Sequence, residues 1–339
     1  MRLPPRTFSG IYLRSVVDIL AELGLPHAMA ETALGTTLHA LSDPRERILE
    51  AAVIELFAEA ERRTGNPLVG LETGHRFRVA NFARTGSVLA LAPSYREAAR
   101  VNARYAPLAE TVGLSEVAED GPRLLLRWSP DFDAEAGRHI TELVLGGYAT
   151  TVRWLGWAFE GRIPHVAFRH ARPAPGGGMD ADTIAKTYQR ILQRDPVFGA
   201  AQNEVAVPDG LADEELPTHN PEGFERQCRK LDSVLSSSGG EDLGQILLYA
   251  LPEGVTTKAA FADHLGTSKS ELDKTLQRDG TTFRQLLDSV RQEGFNRLAE
   301  RGVPLAGIAA ELGFNDQAAM TRAFKRWHGT TPARYVSAL

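Results

Sequence analysis

The sequence predicts an α+β N-terminal domain over residues 1–220, followed by an all-α domain of two helix-turn-helix units joined by a long helix over residues 241–339. Three observations support this division. Strand-like and helical patterns are mixed before residue 220, only helical periodicity follows residue 240, and the flexible run SSSGG occupies 236–240. We therefore interpret residues 221–240 as a connecting helix and a Ser/Gly linker.

Composition is typical of a soluble globular protein. The 339 residues are enough for a substantial core, and 43% of them are apolar while 24% are charged. The sequence has no apolar run long enough to cross a bilayer and no signal peptide, and its single cysteine, Cys228, excludes an internal disulfide. These features predict a cytoplasmic protein that does not associate with a membrane.

Charge is distributed unevenly along the chain. The net charge is −5, but residues 240–339 hold twelve basic and twelve acidic side chains, so the acidic excess lies entirely before residue 240. From Gln317 to the last residue the chain carries four basic residues and no acidic one. Such a local positive field favours contact with phosphates.

The N-terminal two-thirds alternates between helical and strand-like segments. Amphipathic periodicity predicts helices over 10–23, 45–63, from Pro93 to about Tyr105, and over 139–159. Alternating apolar residues predict a hairpin of 111–118 with 122–130 around Asp120-Gly121, and further strands over 164–171 and 203–207. A short helix is predicted over 221–235.

Residues 305–332, LAGIAAELGFNDQAAMTRAFKRWHGTTP, have the pattern of two short helices joined by a tight turn. Apolar residues recur at i, i+3, i+4 and i+7 before Gly313, and again after Asn315. Gly313 is suited to a left-handed turn conformation, and Asn315 is the expected N-cap of the second helix. The spacing predicts a helix-turn-helix unit over about 305–328.

The outward face of this second helix is the expected reading surface. Residues at the start of such a helix reach base edges in the major groove. Gln317 can bond adenine, Arg322 can bond guanine or phosphate, and Lys325 and Arg326 are expected to hold the backbone. The predicted set is Gln317, Ala318, Thr321, Arg322, Lys325 and Arg326.

A unit of the same kind lies upstream, over about 257–277. Phe261 and Leu265 face inward on a first short helix, Gly266 provides the turn, and Ser268 with Glu271 forms a capping box. The outward side chains predicted to contact DNA are Lys269, Ser270, Asp273 and Lys274.

One long helix is predicted between the two units. Thr282 and Gln285 form another capping box, and an inner apolar stripe continues to about residue 300. Such a helix spans about 28 Å, close to the ~34 Å turn of B-DNA. We call the two helix-turn-helix units the reading heads and the long helix between them the rod. The two reading heads are therefore predicted to enter successive major grooves of double-stranded DNA.

Residues 255–335 resemble the DNA-binding domain of the AraC family of bacterial regulators. The likeness rests on L-x-x-I-A-x-x-L-G-F from Leu305, on R-A-F-K-R-W from Arg322, and on G-x-x-P-x-x-Y from Gly329. It implies base-reading positions at Ser270, Asp273 and Lys274 in the first unit, and at Gln317, Ala318, Thr321 and Arg322 in the second. The family's first recognition helix is usually rich in Arg and Gln, whereas this one carries Asp273 and two lysines. We therefore expect the first unit to contribute less affinity.

Residues 1–220 resemble the large arabinose-binding-type N-terminal domain of one branch of that family, through PHVAFRH (164–170) and PVFGAAQNEVAVP (196–208). The resemblance implies sensing of a small organic effector, with a homodimer and RNA polymerase as further expected partners. The candidate effector residues are His75, Arg84, Tyr148, Trp154 and Trp157. The alternative interpretation, which the sequence favours, places the aromatic residues in the core and His75 and Arg84 on a solvated face or loop.

Other functions are less consistent with the sequence. His165 and His170 lie five residues apart on a predicted strand, on opposite faces, so we predict no metal site. Cys228 has basic neighbours but no Cys or His beside it, which argues against catalysis by an activated thiol and leaves any redox role open. We predict neither an enzyme nor a cofactor. An N-terminal domain that only dimerises or binds a protein partner remains the alternative.

Overall fold

The computed structural model describes residues 6–337, except 44, 79–80, 83–84, 122, 131, 156–161, 238–239, 253, 266, 279 and 301–302. The chain divides into two compact units, Met1–Cys228 and Arg229–Leu339. The first unit mixes helices with two small sheets, and the second is helical, so the predicted fold class is confirmed.

Nine helices are described between residues 6 and 237, and the last of them crosses the boundary between the two units. They are α1 (Gly10–Glu22), α2 (His27–Leu34), α3 (Glu50–Thr64), α4 (Val69–Arg76), α5 (Gly86–Leu91), α6 (Tyr95–Tyr105), α7 (Arg138–Leu155), α8 (Ala181–Leu192) and α9 (Pro221–Ser237). Short 3₁₀ helices occupy Ala40–Ser42 and Ala106–Leu108.

Two antiparallel sheets accompany these helices. Strands β1 (Thr7–Ser9) and β2 (Arg47–Leu49) form a pair, and β3 (Gly113–Asp120), β4 (Arg123–Pro130), β5 (His165–Ala167) and β6 (Glu204–Ala206) form a sheet in the order β3-β4-β6-β5. The predicted hairpin is present as β3 and β4, with Asp120 opposite Arg123 and Gly121 at a φ of 59°. Positive φ favours glycine, which is why the chain turns at this point.

Helices α4 and α7 cross at very short range because two glycines four residues apart, Gly70 and Gly74, face α7. A Cβ at Gly70 would lie 2.6 Å from the Cα of His139, and one at Gly74 would lie 3.0 Å from the backbone nitrogen of Gly147. This close crossing brings the first turn of α7, with its charged residues, into the core of the unit.

Glu142 of α7 is fully buried and is compensated by several polar neighbours. Arg138 lies 3.3 Å from its carboxylate, His139 lies 3.7 Å away, and the Tyr188 hydroxyl donates a hydrogen bond to it. His139 also contacts the carboxylate of Glu61 at 2.7 Å through Nε2. A buried carboxylate is tolerated only with such partners, so this cluster ties α3, α7 and α8 together.

The structure differs from the sequence prediction at several N-terminal elements. The single helix predicted over 45–63 is strand β2 followed by α3, because residues 47–49 pair with Thr7–Ser9. The strand predicted over 164–171 is limited to β5, since its partner β6 offers only three residues. His170 therefore lies beyond the strand, buried against the Phe168 ring.

The second unit contains seven helices within the described residues. After the end of α9 these are α10 (Gly240–Ala250), α11 (Lys258–His264), α12 (Lys269–Arg278), α13 (Phe283–Glu300), α14 (Leu305–Glu311), α15 (Gln317–His328) and α16 (Pro332–Val336). The predicted Ser/Gly linker is shorter than expected. Ser236 and Ser237 continue α9, whose buried Leu231 and Leu235 extend its apolar face to that point, and 238 and 239 lie outside the described residues.

Candidate nucleic-acid interface

The second helix-turn-helix unit is formed by α14 and α15, as the apolar spacing predicts. Ile308, Leu312, Met320 and Phe324 are buried between the two helices, and Gly313 makes the turn with a φ of 62°. The N-cap of α15 is Asp316 rather than the predicted Asn315. The Asp316 carboxylate accepts a hydrogen bond from the backbone of Ala319 at 2.6 Å.

The outward face of α15 presents the predicted contact residues to solvent. Gln317, Ala318, Arg322, Lys325 and Arg326 are exposed. Thr321 is half-buried, and its hydroxyl donates to the carbonyl of Gln317 at 2.8 Å. Positions 317, 318, 321, 322 and 325 share one side of the helix because they repeat at intervals of three to five residues.

The cations of this face differ in how they are engaged. Arg326 donates to Asp288 of α13 at 3.0 Å. In the part of the chain that the structure describes, no carboxylate lies within ion-pair distance of Arg322 or Lys325. These two side chains are therefore available to an external anion such as a phosphate.

The first helix-turn-helix unit is formed by α11 and α12. Thr257 caps α11 by accepting from the backbone of Ala260 at 3.2 Å, and Ser268 caps α12 by accepting from that of Glu271 at 3.1 Å. Phe261, Leu265, Leu272 and Leu276 are buried, as predicted. Gly266, the predicted turn residue, lies outside the described residues.

Two charged side chains on the outward face of α12, Asp273 and Lys274, are paired within the first helix-turn-helix unit. Lys269, Ser270 and Lys274 are exposed, and Asp273 is half-buried. The Asp273 carboxylate accepts from Lys258 at 2.7 Å, and Lys274 contacts Glu271 at 3.2 Å. Each pair places a carboxylate beside a lysine ammonium, which weakens the local positive field on this face.

The rod between the heads is α13, whose 18 residues span about 27 Å. Its predicted capping box is present in both directions. Thr282 and Gln285 exchange backbone-to-side-chain hydrogen bonds of 3.0 and 3.3 Å. Arg291, on the same helix, donates to the carbonyls of Leu312 and Gly313. Sequence periodicity gave no sign of this contact, since a polar residue on an amphipathic helix is usually assigned to solvent.

The N-terminal unit, Met1–Cys228, contains a narrow apolar cleft. It encloses about 370 Å³ including the open space at its mouth, but only about 20 Å³ is wide enough for the centre of a water molecule. Its lining comes from α5, α6, α7, β4 and adjoining residues, namely Phe82, Leu89, Tyr95, Ala98, Ala99, Asn102, Leu126, Tyr148, Thr151, Val152, Leu155 and Val207.

The polar groups that the described residues bring to this cleft are few and uncharged. The Tyr148 hydroxyl lies 2.9 Å from the Ser115 hydroxyl, and burial raises the pKa of Tyr148 to about 12. The Tyr95 hydroxyl donates to the carbonyl of Val152 at 2.9 Å. Asn102 and Thr151 supply the remaining polar lining. No local pattern singles out Asn102 or Tyr95, because the cleft is assembled by elements that are distant in the chain.

Three of the five predicted effector residues lie in the described part of the chain. Tyr148 lines the cleft, whereas His75 and Trp154 are not among its lining residues, and Arg84 and Trp157 lie outside the described residues. Trp154 is 38% exposed. Burial, together with nearby arginines of which Arg153 has the largest effect, lowers the pKa of His75.

Other chemistry receives little support from the described residues. They contain no group of three or more His, Cys, Asp or Glu side chains placed to hold a metal ion. Cys228 is half-buried and is not part of a disulfide. Among the helices described, none combines the length and the apolar character needed to span a bilayer.

Two family models match the chain. Residues 24–216 match the N-terminal arabinose-binding domain of AraC transcription regulators, and residues 261–338 match a helix-turn-helix domain. Together they include the cleft and both reading heads, apart from the start of the first head.

Two named regulators are similar to this chain in sequence. An ornithine utilization regulator of Pseudomonas aeruginosa is 25% identical over 96% of this chain and 95% of its own. The HTH-type transcriptional regulator VirS of Mycobacterium tuberculosis is 29% identical over 57% of this chain and 55% of its own. The crystal structure of the transcriptional regulator CdpR from Pseudomonas aeruginosa aligns with 91% of this chain and 96% of its own, with 17% identity and a TM-score of 0.44.

Proposed function

The chain belongs to the AraC family and is a DNA-binding transcription regulator, and we propose that a small organic effector bound in its N-terminal unit controls that binding. The DNA contacts that we propose are the exposed polar face of α15 and the weaker face of α12. The N-terminal cleft is the proposed effector site.

The exposed face of α15 is the observation that carries the DNA-contact proposal. Five of the six predicted side chains are exposed, and Arg322 and Lys325 face solvent without a carboxylate partner among the described residues. In our proposal Gln317 and Arg322 read base edges, while Lys325 binds a phosphate. Lys269, Ser270, Asp273 and Lys274 take the corresponding place in the first head.

An in vitro selection from random DNA with the full-length protein tests the DNA contacts. The selected operator is then compared with single-base variants by fluorescence anisotropy. We expect Arg322→Ala to lose discrimination at one position of the box that α15 reads, and Lys325→Ala to weaken binding to all sequences alike. Equal loss on every sequence for Arg322→Ala would contradict its assignment to base reading.

The cleft supports an effector that is largely apolar and uncharged. Among the described residues, no charged side chain lines it, and the polar groups that they supply are the hydroxyls and the amide of Tyr148, Tyr95, Thr151 and Asn102. An ion placed there would lose its hydration without a counter-charge. Because little of the cleft admits water, a ligand has to widen it on binding, and such widening provides a route to shift the population of conformations.

Thermal denaturation against a panel of small metabolites tests effector binding. The panel includes ornithine, because a relative that aligns over 95% of its own length is named as a regulator of its utilization. Ornithine is charged, so we expect this cleft to reject it, and a shift in Tm with ornithine would contradict the proposed apolar effector. A true ligand at a hundred times its Kd stabilises the folded state by about 2.7 kcal/mol. Asn102→Leu should abolish the shift in Tm, whereas Arg100→Gln, an exposed change on the same helix, should leave it intact.

A homodimer, contact with RNA polymerase, and a cytoplasmic location complete the proposal, with no catalytic step. The second candidate is an N-terminal unit that only dimerises or binds a protein. Sedimentation at several concentrations distinguishes the two. A concentration-dependent mass without any metabolite-dependent change in Tm or in DNA affinity would favour the second candidate.

A further inference from the structure

Arg291 joins the rod to the second reading head at the turn of that head. Its Nε donates to the carbonyl of Leu312 at 2.9 Å, and its Nη2 donates to the carbonyl of Gly313 at 2.7 Å. The guanidinium also lies 4.0 Å from the ring centre of Phe314. One side chain therefore binds the last carbonyls of α14, the turn, and the first residue after the turn.

A second contact joins the rod to the recognition helix itself. Asp288 lies three residues before Arg291 on α13, and its carboxylate accepts from Arg326 of α15 at 3.0 Å. We call Asp288, Arg291 and Arg326 the clamp. One arm of the clamp holds the turn and the other holds α15, and two separate attachment points fix an angle as well as a distance.

Apolar packing beneath the clamp sets the distance but leaves the angle less defined. A Cβ at Gly294 would lie 2.6 Å from the Leu312 side chain and 2.9 Å from that of Leu248, so α13 is in tight contact with both neighbouring helices. Hydrophobic contact is non-directional. The planar guanidinium on two carbonyls is directional, and lysine cannot reproduce its fork.

We propose that Arg291 is a positioning residue that, through the clamp, sets the angle of the second reading head and makes the protein sensitive to the spacing between its two DNA boxes. This inference rests on the proposed function, in which both heads contact one stretch of duplex. One added base pair turns the second box by about 35° around the duplex axis. A head held at a fixed angle cannot follow that rotation, whereas a loosened head can.

The experiment measures Kd of the full-length protein for its selected operator and for two derivatives with one base pair inserted or removed between the boxes. For the wild-type protein we expect each altered spacing to weaken binding by about tenfold or more, the scale of a lost base contact. Arg291→Lys keeps the charge and removes the fork. We expect its penalty for altered spacing to fall below about threefold, while its affinity for the original operator declines.

Arg284→Lys is the matched control, since Arg284 is an exposed arginine on the same helix. Asp288→Asn is the second test, because it releases Arg326 without removing any group from the DNA-facing surface, and it should also reduce the spacing penalty. If Arg291→Lys does not fold, Asp288→Asn decides the question alone.

Three results would overturn the clamp. The first is a penalty for altered spacing in Arg291→Lys that is as large as in the wild-type protein, and the second is an unchanged penalty in Asp288→Asn. The third is an equal loss of affinity at all three spacings, which is the signature of a merely destabilised unit. If the wild-type protein itself tolerates both altered spacings, the proposal that two heads enter successive grooves fails first, and the clamp inference falls with it.

Discussion

Gly313→Ala tests how tightly the turn of the second reading head is held. Gly313 has a φ of 62°, where an alanine costs about 1–2 kcal/mol relative to glycine. A Cβ there would also lie 2.7 Å from the Thr256 methyl and 2.8 Å from the carbonyl oxygen of Leu251. The oxygen belongs to the backbone and cannot rotate away, so overpacking adds about 1–3 kcal/mol. The expected loss in the free energy of unfolding is about 2–5 kcal/mol.

Gly329→Ala is the matched control for this substitution. Gly329 has a φ of 69° at the end of α15, and a Cβ there would meet nothing within 4 Å. It should therefore cost only the backbone contribution, about 1–2 kcal/mol. Urea denaturation of the full-length protein measures both losses, and hydrogen exchange in peptides from 305–328 assigns them to this unit. Equal losses for the two variants would refute the close approach of the turn to Leu251 and Thr256.

Three further expectations concern DNA affinity, pH and helix crossing. Arg322→Ala should weaken operator binding, measured by fluorescence anisotropy, by about 1–3 kcal/mol, and Lys274→Ala by less because Lys274 is paired with Glu271; the reverse order would contradict the ranking of the heads. Burial alone would lower the pKa of His139, but the carboxylates of Glu142 and Glu61 outweigh it and raise that pKa. The stabilisation of the folded state by protonated His139 is fully present below pH 6.5 and is lost as the pH rises through the pKa that His139 has in the folded protein. His139→Gln should therefore flatten the loss of Tm on the alkaline side. Conversely, contact with His139 lowers the pKa of Glu61, and that stability is lost as pH falls below 4.5. At the α4–α7 crossing, Gly147→Ala should raise the free energy of unfolding by up to about 1 kcal/mol through helix propensity, since its Cβ meets nothing closer than 3.8 Å. Gly74→Ala should lower the free energy of unfolding, because its Cβ would overlap the carbonyl oxygen of Leu143. Urea denaturation that ranks the two variants the other way would refute the crossing geometry.

Local sequence patterns determined the DNA-binding half of this protein well. The inward and outward residues of α12 and α15, the rod α13 and its reciprocal capping box all follow from spacing and capping chemistry within one or two turns of helix. The one-residue error at the N-cap of α15 has the same origin. Asn315 and Asp316 both suit a cap, and only the register of the helix chooses between them.

The N-terminal half was predicted less completely because its elements depend on partners far away in the chain. Strand β2 exists through pairing with residues about forty positions earlier, and α4 is placed by glycines that fit against α7. Neither feature leaves a period in the local sequence. The same holds for the cleft, where Asn102 and Tyr148 meet from two helices that periodicity treats separately.

By itself, the sequence determined that two helix pairs are joined by one long helix, and which side chains of each pair are buried and which are exposed. These outcomes depend on interactions across three or four residues, which a linear pattern records. Only the tertiary structure decided which of those side chains are already paired, that Arg291 binds the turn between α14 and α15, and that the N-terminal unit contains a cleft whose described lining residues are uncharged. These contacts join residues that are distant in sequence, and the free energy that selects them comes from burial and directional hydrogen bonding in the folded chain.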